Sequence, residues 1–313
     1  MSKKLPVLLL GYNRPDFTRD IMIRLAEYAP DRLYIACDGP NSSKPGDRDL
    51  VLQVREHLKG PAWPCTVHKR FLNENVGPRQ AVGTAIDWFF TQETKGVILE
   101  DDCMPHVDFF KLADHILHRY RNDKKIWGVT GSNTTRVDFR GEASYGFVGH
   151  PLTWGWASWR DRWSERDADL QTYSMNRSTV GEGGFPSRAH QIAFSRHLDS
   201  IVECGVPDAW DYPWAWTVMR HGGLWAVAQR NLVKNVGFRY DSTNTTTSRL
   251  MGGPLENLEE VIDPIQVILD HEAESVILRK IHGLLYPLWL NHPVNLLKLV
   301  KRRITRRFRR RDE

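Results

Sequence analysis

None of the four cysteines, Cys37, Cys65, Cys103 and Cys204, lies in a CxxC pair. That excludes a zinc site evident from spacing and fits a reducing compartment. No GxGxxG and no P-loop pattern occurs, so a Rossmann dinucleotide site or a Walker-type phosphate cradle has little support. No internal repeat is visible. The N-terminal apolar run, "PVLLLGY", has about five strongly apolar residues where a signal peptide carries roughly 7–15. It reads as a first buried strand, and the chain as cytosolic. The segment "IHGLLYPLWLNHPVNLLKLV" (281–300) holds two prolines and several polar residues, which argues against a membrane span.

Net charge is also small once the end of the chain is set apart. The net charge is +5, but residues 301–313, "KRRITRRFRRRDE", carry eight basic and two acidic side chains. Residues 1–300 are therefore close to neutral, which excludes a nucleic-acid-binding body on charge grounds. Hydrophobic residues make up 41% and charged residues 26% of the 313, an ordinary globular composition sufficient for one large or two small domains.

What is present alternates. Apolar runs at 6–12, 32–40, 65–71 and 96–102 predict buried strands, and helical spacing predicts helices over 19–28, 49–58 and 73–90. This order predicts an α/β fold, a doubly wound and mostly parallel sheet. After residue 126 the pattern loosens. "KIWGVTGSN" reads as a strand, 144–163 packs four tryptophans, 164–200 reads as helical and 224–238 as strand-like.

On such sheets ligands bind beyond the C-terminal strand ends, where the strand order reverses. Those ends are polar here: Tyr12-Asn13-Arg14, Asp38-Gly39, Asn73 to Asn75, and Glu100-Asp101-Asp102. In "VILEDDCMP" three acids close a hydrophobic strand. Adjacent carboxylates repel, so the site is either open to water or supplied with positive charge. Carboxylates at a strand end suit Mg²⁺ or Mn²⁺, whose other positions go to water and phosphate. A solvated loop is the simpler alternative.

The succession "PVLLLGYNRP", "IACDGP", "VILEDDCMPHVDFF", "LTWGWASW", "WDYPW" and "NLVKNVGF" resembles the GT-A glycosyltransferases. It is similar to the bacterial branch that looks like the Golgi N-acetylglucosaminyltransferase of type I, over about residues 5–245. The resemblance implies a GT-A domain over 1–250, followed by a helical extension over 251–313. It further implies Asp102 as the metal ligand, with Glu100 and Asp101 towards the donor ribose, sugar or second shell. Arg14 and Asp38 fall where the family contacts the nucleotide, Asp38 being suited to accept from a uracil N–H. Gly11, Tyr12, Asn13, Asn75 and Arg79 complete the implied donor set. For Arg14 a surface arginine, and for Asp38 a turn residue, are the plain alternatives.

"DAWDYPWAW" (208–216) sets Asp211 among aromatic rings, where desolvation raises a carboxylate's proton affinity and suits it to act as a general base. The resemblance places the base of inverting members there. Asp208 is the rival, and a helix-capping role for Asp211 is the structural alternative. Trp154, Gly155, Trp156 and Tyr212 form the expected acceptor side, although each tryptophan taken alone is more often core. After "NVGF" the relatives read Asp-x-Thr-His-Thr, whereas this chain reads "DSTNTTT" (241–247), with Asn244 in place of the histidine. Lys234 or Arg239 is expected to take part of the charge.

In 293–311, Leu297, Val300, Ile304 and Phe308 recur at helical spacing among arginines, a pattern suited to an anionic membrane surface. The expectation is an inverting, Mn²⁺- or Mg²⁺-dependent transfer from a UDP-linked sugar to a glycan or lipid-linked hydroxyl, at the inner face of the membrane, in polysaccharide assembly. The rivals are a nucleotidyltransferase, which usually needs a more glycine-rich first loop, and a non-catalytic carbohydrate-binding scaffold.

Overall fold

A computed structural model describes residues 3–133, 136–139, 141–175, 188–237 and 253–281. Its layering follows from alternation on the first strand. In β1 (Val7–Gly11), Val7 and Leu9 join one buried cluster, while Leu8 and Leu10 join another on the opposite face. A strand whose two faces are both apolar must be covered on both sides.

The chain continues through α1 (Pro15–Tyr28), β2 (Arg32–Cys37), α2 (Asp47–His57), β3 (Thr66–Phe71), α3 (Pro78–Gln92) and β4 (Lys95–Glu100). Pro15 and Pro78 each open a helix, where the missing N–H has no intrahelical role. A short β5 (Cys103–Pro105), α4 (Val107–Arg119), β6 (Ile126–Thr130), β7 (Tyr145–Val148) and β8 (Trp156–Trp159) follow. The remaining elements are α5 (Arg160–Trp163), α6 (Gln171–Met175), α7 (Arg188–Cys204), α8 (Asp211–Arg220), β9 (Leu224–Ala228), β10 (Val233–Asn235) and α9 (His271–Ile281).

Eight strands form one sheet in the order β3-β2-β1-β4-β8-β6-β9-β7. Pairings from β3 through β4 are parallel, β8 runs antiparallel between β4 and β6, and β7 is antiparallel to β9. The fold is thus the expected α/β one, a mixed and mostly parallel sheet. Helices α1, α2 and α4 cover one face, and α3, α8 and α9 the other. From β1 the chain builds outward through β2 and β3, then returns to place β4 on β1's other side. The order therefore reverses between β1 and β4, which is where such sheets open a ligand crevice.

Two expectations are corrected. The fourth strand stops at Glu100, and Asp101-Asp102 form a turn into β5, which pairs antiparallel with β10. Of 164–200, residues 164–170 are turns and not helix, while α6 and α7 are the helical parts described. Residues 253–281 pack onto the body. Leu258 N–H donates to Asp108, Asp263 accepts from Tyr145, and Ile277 is fully buried. The boundary expected at 250 and the basic tail lie outside the described residues.

Candidate active site

Beyond the C-terminal ends of β1, β2 and β4 lies a cavity of about 430 Å³, within the range of small-ligand sites. Gly11, Tyr12, Asn13, Arg14, Asp38, Asn75, Glu100, Asp101 and Asp102 line it on one side, with Trp154 and Asp211 among the other lining residues. The structure therefore brings together most of the expected site residues from distant parts of the chain.

Asp38 organises the floor. Its Oδ1 accepts the N–H of Gly39 at 2.8 Å and of Val76 at 3.1 Å, and its Oδ2 accepts the Asn75 side-chain amide at 2.8 Å. Burial raises its pKa, while the N–H groups of Val76, Gly39 and Gly77 oppose that. Most of its acceptor capacity thus ties the loop after β2 to the loop before α3. Asp47 does the same one layer out. It accepts from Tyr12 Oη at 2.7 Å, Asn13 Nδ2 at 2.6 Å and Asn41 N at 2.7 Å. Burial raises the Asp47 pKa, but these three donors outweigh it, and the net shift is downward.

The acidic turn is paired. Arg14 Nη1 donates to Asp102 Oδ2 at 2.6 Å and stands 3.7 Å from Asp101 Oδ1. Burial lowers the Arg14 pKa, but the charges of Asp101 and Asp102 outweigh it and raise it. Glu100 is pushed well above the ordinary range by burial first, then by the charges of Asp102, Asp211 and Asp101. Burial and Asp102 push Asp101 up to about 7. The positive charge that the sequence demands is therefore present as a guanidinium. The carboxylate oxygens of Asp101 and Asp102 are of the donor type that a hard divalent ion would take, and here they face Arg14. Among the described residues no group of three or more His, Cys, Asp or Glu side chains converges on one ion position.

β10 and the two residues after it supply a back wall. Val236 N–H donates to the Asp102 carbonyl at 2.8 Å, and Gly237 N–H donates to Asn235 Oδ1 at 2.7 Å. A Cβ on Gly237 would overlap the Asp102 carboxylate, so the motif "NVG" sits here because only glycine permits the approach. Asn41, Lys44, Arg70, Asp208 and Asn235 also line the cavity. Lys44 and Arg70 are its cations besides Arg14, and no sequence pattern marks them.

Asp211 is the first residue of α8, after Trp210 in the capping position, and its Oδ1 accepts the Tyr212 N–H at 3.1 Å, so it satisfies a first-turn donor of that helix. Its pKa is raised by burial, partly opposed by its own and Tyr212's N–H groups.

Several expected contacts are corrected. Arg79 turns away from the cavity, donating to the Ala168 carbonyl at 2.6 Å and approaching Asp169 at 3.6 Å. Trp156 is fully buried and packs on Trp210, Trp214 and Trp225, so it is core and not an acceptor platform. Gly155 has φ +64° and abuts Val233, which accounts for the glycine structurally. Tyr212 stacks on His197 with centroids 5.0 Å apart and is not on the cavity wall. Lys234 projects outward from β10, while Arg239 and Asn244 lie outside the described residues.

No protein-family model matches the sequence, and no curated protein sequence matches it. Similar solved structures include HddC from Yersinia pseudotuberculosis, at 13% identity and TM-score 0.32, covering 50% of this chain and 77% of that one. A cytidylyltransferase from Leptospira borgpetersenii is similar at 10% identity and TM-score 0.33, covering 56% and 73%. The glycosyltransferase GlyE of Streptococcus pneumoniae is similar at 14% identity and TM-score 0.32, over 58% of this chain and 41% of its own length.

Proposed function

We propose that the chain is a GT-A-type glycosyltransferase that moves a sugar from a nucleotide-diphosphate donor, UDP-linked, to an acceptor hydroxyl with inversion. One observation supports this above the others. Arg14, Asp38 and the acids 100–102 line the wall of the same cavity to which Asp211 contributes. The donor nucleotide is read against Tyr12, Asp38 and Asn75, and its diphosphate lies near Arg14, Lys44 and Arg70. Asp102, with Asp101 beside it, is proposed to hold Mn²⁺ or Mg²⁺. When bound, that ion offsets charge gathering on the leaving nucleoside diphosphate.

Asp211 takes the proton from the acceptor hydroxyl as the oxygen attacks C1. The C1–O bond to the diphosphate breaks, and its electron pair leaves with the nucleotide. A base whose pKa is raised by burial accepts that proton more readily than an exposed aspartate would. Trp154, half-buried on the wall, is proposed to offer its ring to a sugar face.

The basic tail is proposed to rest on an anionic membrane surface at the cytoplasmic face, which suits a lipid-linked acceptor in polysaccharide or lipopolysaccharide assembly. Among the described residues, no helix is long and apolar enough to cross a membrane.

The test is release of nucleoside diphosphate from a panel of nucleotide sugars, with and without Mn²⁺. Asp102→Asn is expected to abolish release while leaving the circular dichroism spectrum intact. Nucleotide-sugar synthesis from a nucleoside triphosphate and a sugar phosphate, with pyrophosphate released, would overturn the reading in favour of a nucleotidyltransferase. The loop between β1 and α1 is Tyr12, Asn13 and Arg14, without a glycine of its own, which supports the glycosyl-transfer reading over a glycine-rich triphosphate cradle.

A further inference from the structure

The acids of the donor wall already hold a cation, and its position is fixed from both sides. Arg14 sits in a three-residue loop closed by Pro15. Its carbonyl accepts the Thr18 N–H at 3.0 Å and the Thr18 hydroxyl at 2.9 Å. The guanidinium lies against the Phe17 ring, 5.9 Å from the centroid, and is half-buried. Its guanidinium thus rests on Asp102 while keeping one side open to solvent.

Asp102 has little room to retreat. Gly237 lies against its Oδ2, its carbonyl is bound by Val236, and its Oδ1 accepts the Cys103 thiol at 3.4 Å. Arg14 engages the other carboxylate oxygen, Oδ2. The guanidinium occupies Asp102 Oδ2 at 2.6 Å, and a divalent ion brought to the same oxygen would stand a few ångströms from it, where two cations in a half-buried site repel strongly.

We propose that Arg14 and the divalent ion compete for Asp102. In the free protein the guanidinium closes the metal position. It moves to the donor's diphosphate when ion and donor arrive together, so metal loading depends on donor. A planar fork of N–H donors suits both partners, carboxylate before and phosphate after. This deepens the metal-dependent transfer proposed above and rests on it, with Arg14 as the residue that couples the two ligands.

The experiment measures Mn²⁺ binding to the full chain by the loss of the free-ion electron paramagnetic resonance signal, without donor and with UDP as the probe. Without UDP, Arg14→Ala is expected to bind Mn²⁺ roughly tenfold more tightly than the parent. Arg14→Lys, which keeps the charge, stays near the parent. UDP tightens Mn²⁺ binding by a larger factor in the parent than in Arg14→Ala, and Asp102→Asn removes the tight site in every background. Arg14→Gln repeats the measurement should the alanine variant lose its fold by circular dichroism. Mn²⁺ affinity in the alanine and glutamine variants equal to or weaker than the parent overturns the exchange, as does the absence of binding in all of them. Parent turnover of nucleotide sugars is read separately. Turnover with no gain in Mn²⁺ affinity on losing Arg14 sinks the exchange alone. A gain in affinity in a protein that processes no donor sinks the transferase reading alone.

Discussion

Glu274 on α9 accepts the backbone N–H of Gly149 at 2.8 Å, and the same oxygen takes the N–H of His150 at 3.2 Å. The carboxyl is fully buried, and its other oxygen has no hydrogen-bond partner among the described residues. Burial pushes its pKa up to about 7, against the pull of the two N–H groups, which favour the ion. The folded protein thus keeps a proton that an unfolded glutamate releases near 4.5. The stability this provides is fully present below the lower value and is lost as pH rises through the higher one. Glu274→Gln keeps the shape and an acceptor while removing the titration. At pH 8 its unfolding midpoint should exceed the parent's, by a stability increment of up to about 3 kcal/mol. At pH 4.5 the two should nearly coincide. A variant no more stable than the parent at pH 8 would show that the buried carboxyl is not strained.

Asp211→Asn is expected to lower turnover by about 10²- to 10⁴-fold, the usual worth of a positioned base, while nucleotide binding followed by thermal shift stays near the parent. Because burial raises the Asp211 pKa, the acid limb of the parent's pH–rate profile should lie above the ordinary aspartate range. Asp208 lines the same cavity, so Asp208→Asn is the control. Should it cost more turnover than Asp211→Asn, the base is Asp208.

The strand ends of this site are legible in the sequence because each is a local event. A run buried on both faces stops at a polar residue, and "PVLLLGY", "IACDGP" and "VILEDD" all do so. Pairings across the sheet are not local. Arg14 and Asp102 are 88 residues apart, and only the return of β4 to the open side of β1 makes them partners. Direction within an element is also hidden. Arg79 stands between the cavity-lining Pro78 and Ala81, but its direction on α3 aims it at Ala168. Trp154 and Trp156 share a motif and differ in fate because Trp156 pairs with Ile98 inside the sheet, whereas Trp154 precedes the strand. The Gly237 approach to Asp102 is not legible in "NVGF", because it depends on the pairing of β10 with β5.

The two tryptophans therefore separate by experiment. Trp156→Ala should cost about 3–5 kcal/mol in denaturant unfolding, the usual loss for a buried large aromatic. Trp156→Phe should retain donor and acceptor KM values. Trp154→Ala, at a half-buried wall position, should cost less stability and raise the acceptor KM. Equal KM effects from both positions would place sugar contact where the structure shows core.

Gly237→Ala tests the back wall. The added methyl has no space beside the Asp102 carboxylate, and the neighbouring Val236 and Asn235 hydrogen bonds hold the backbone in place. Either β10 shifts or Asp102 turns. A shift of β10 should appear as about 1–3 kcal/mol lost in denaturant unfolding, the usual cost of overpacking. Rotation of Asp102 should instead leave stability near the parent and weaken Mn²⁺ binding in the presence of UDP. Both outcomes follow from the contact. Unchanged stability together with unchanged Mn²⁺ binding would mean that Gly237 is not pressed against Asp102 in solution, and that the glycine in "NVG" has some other cause.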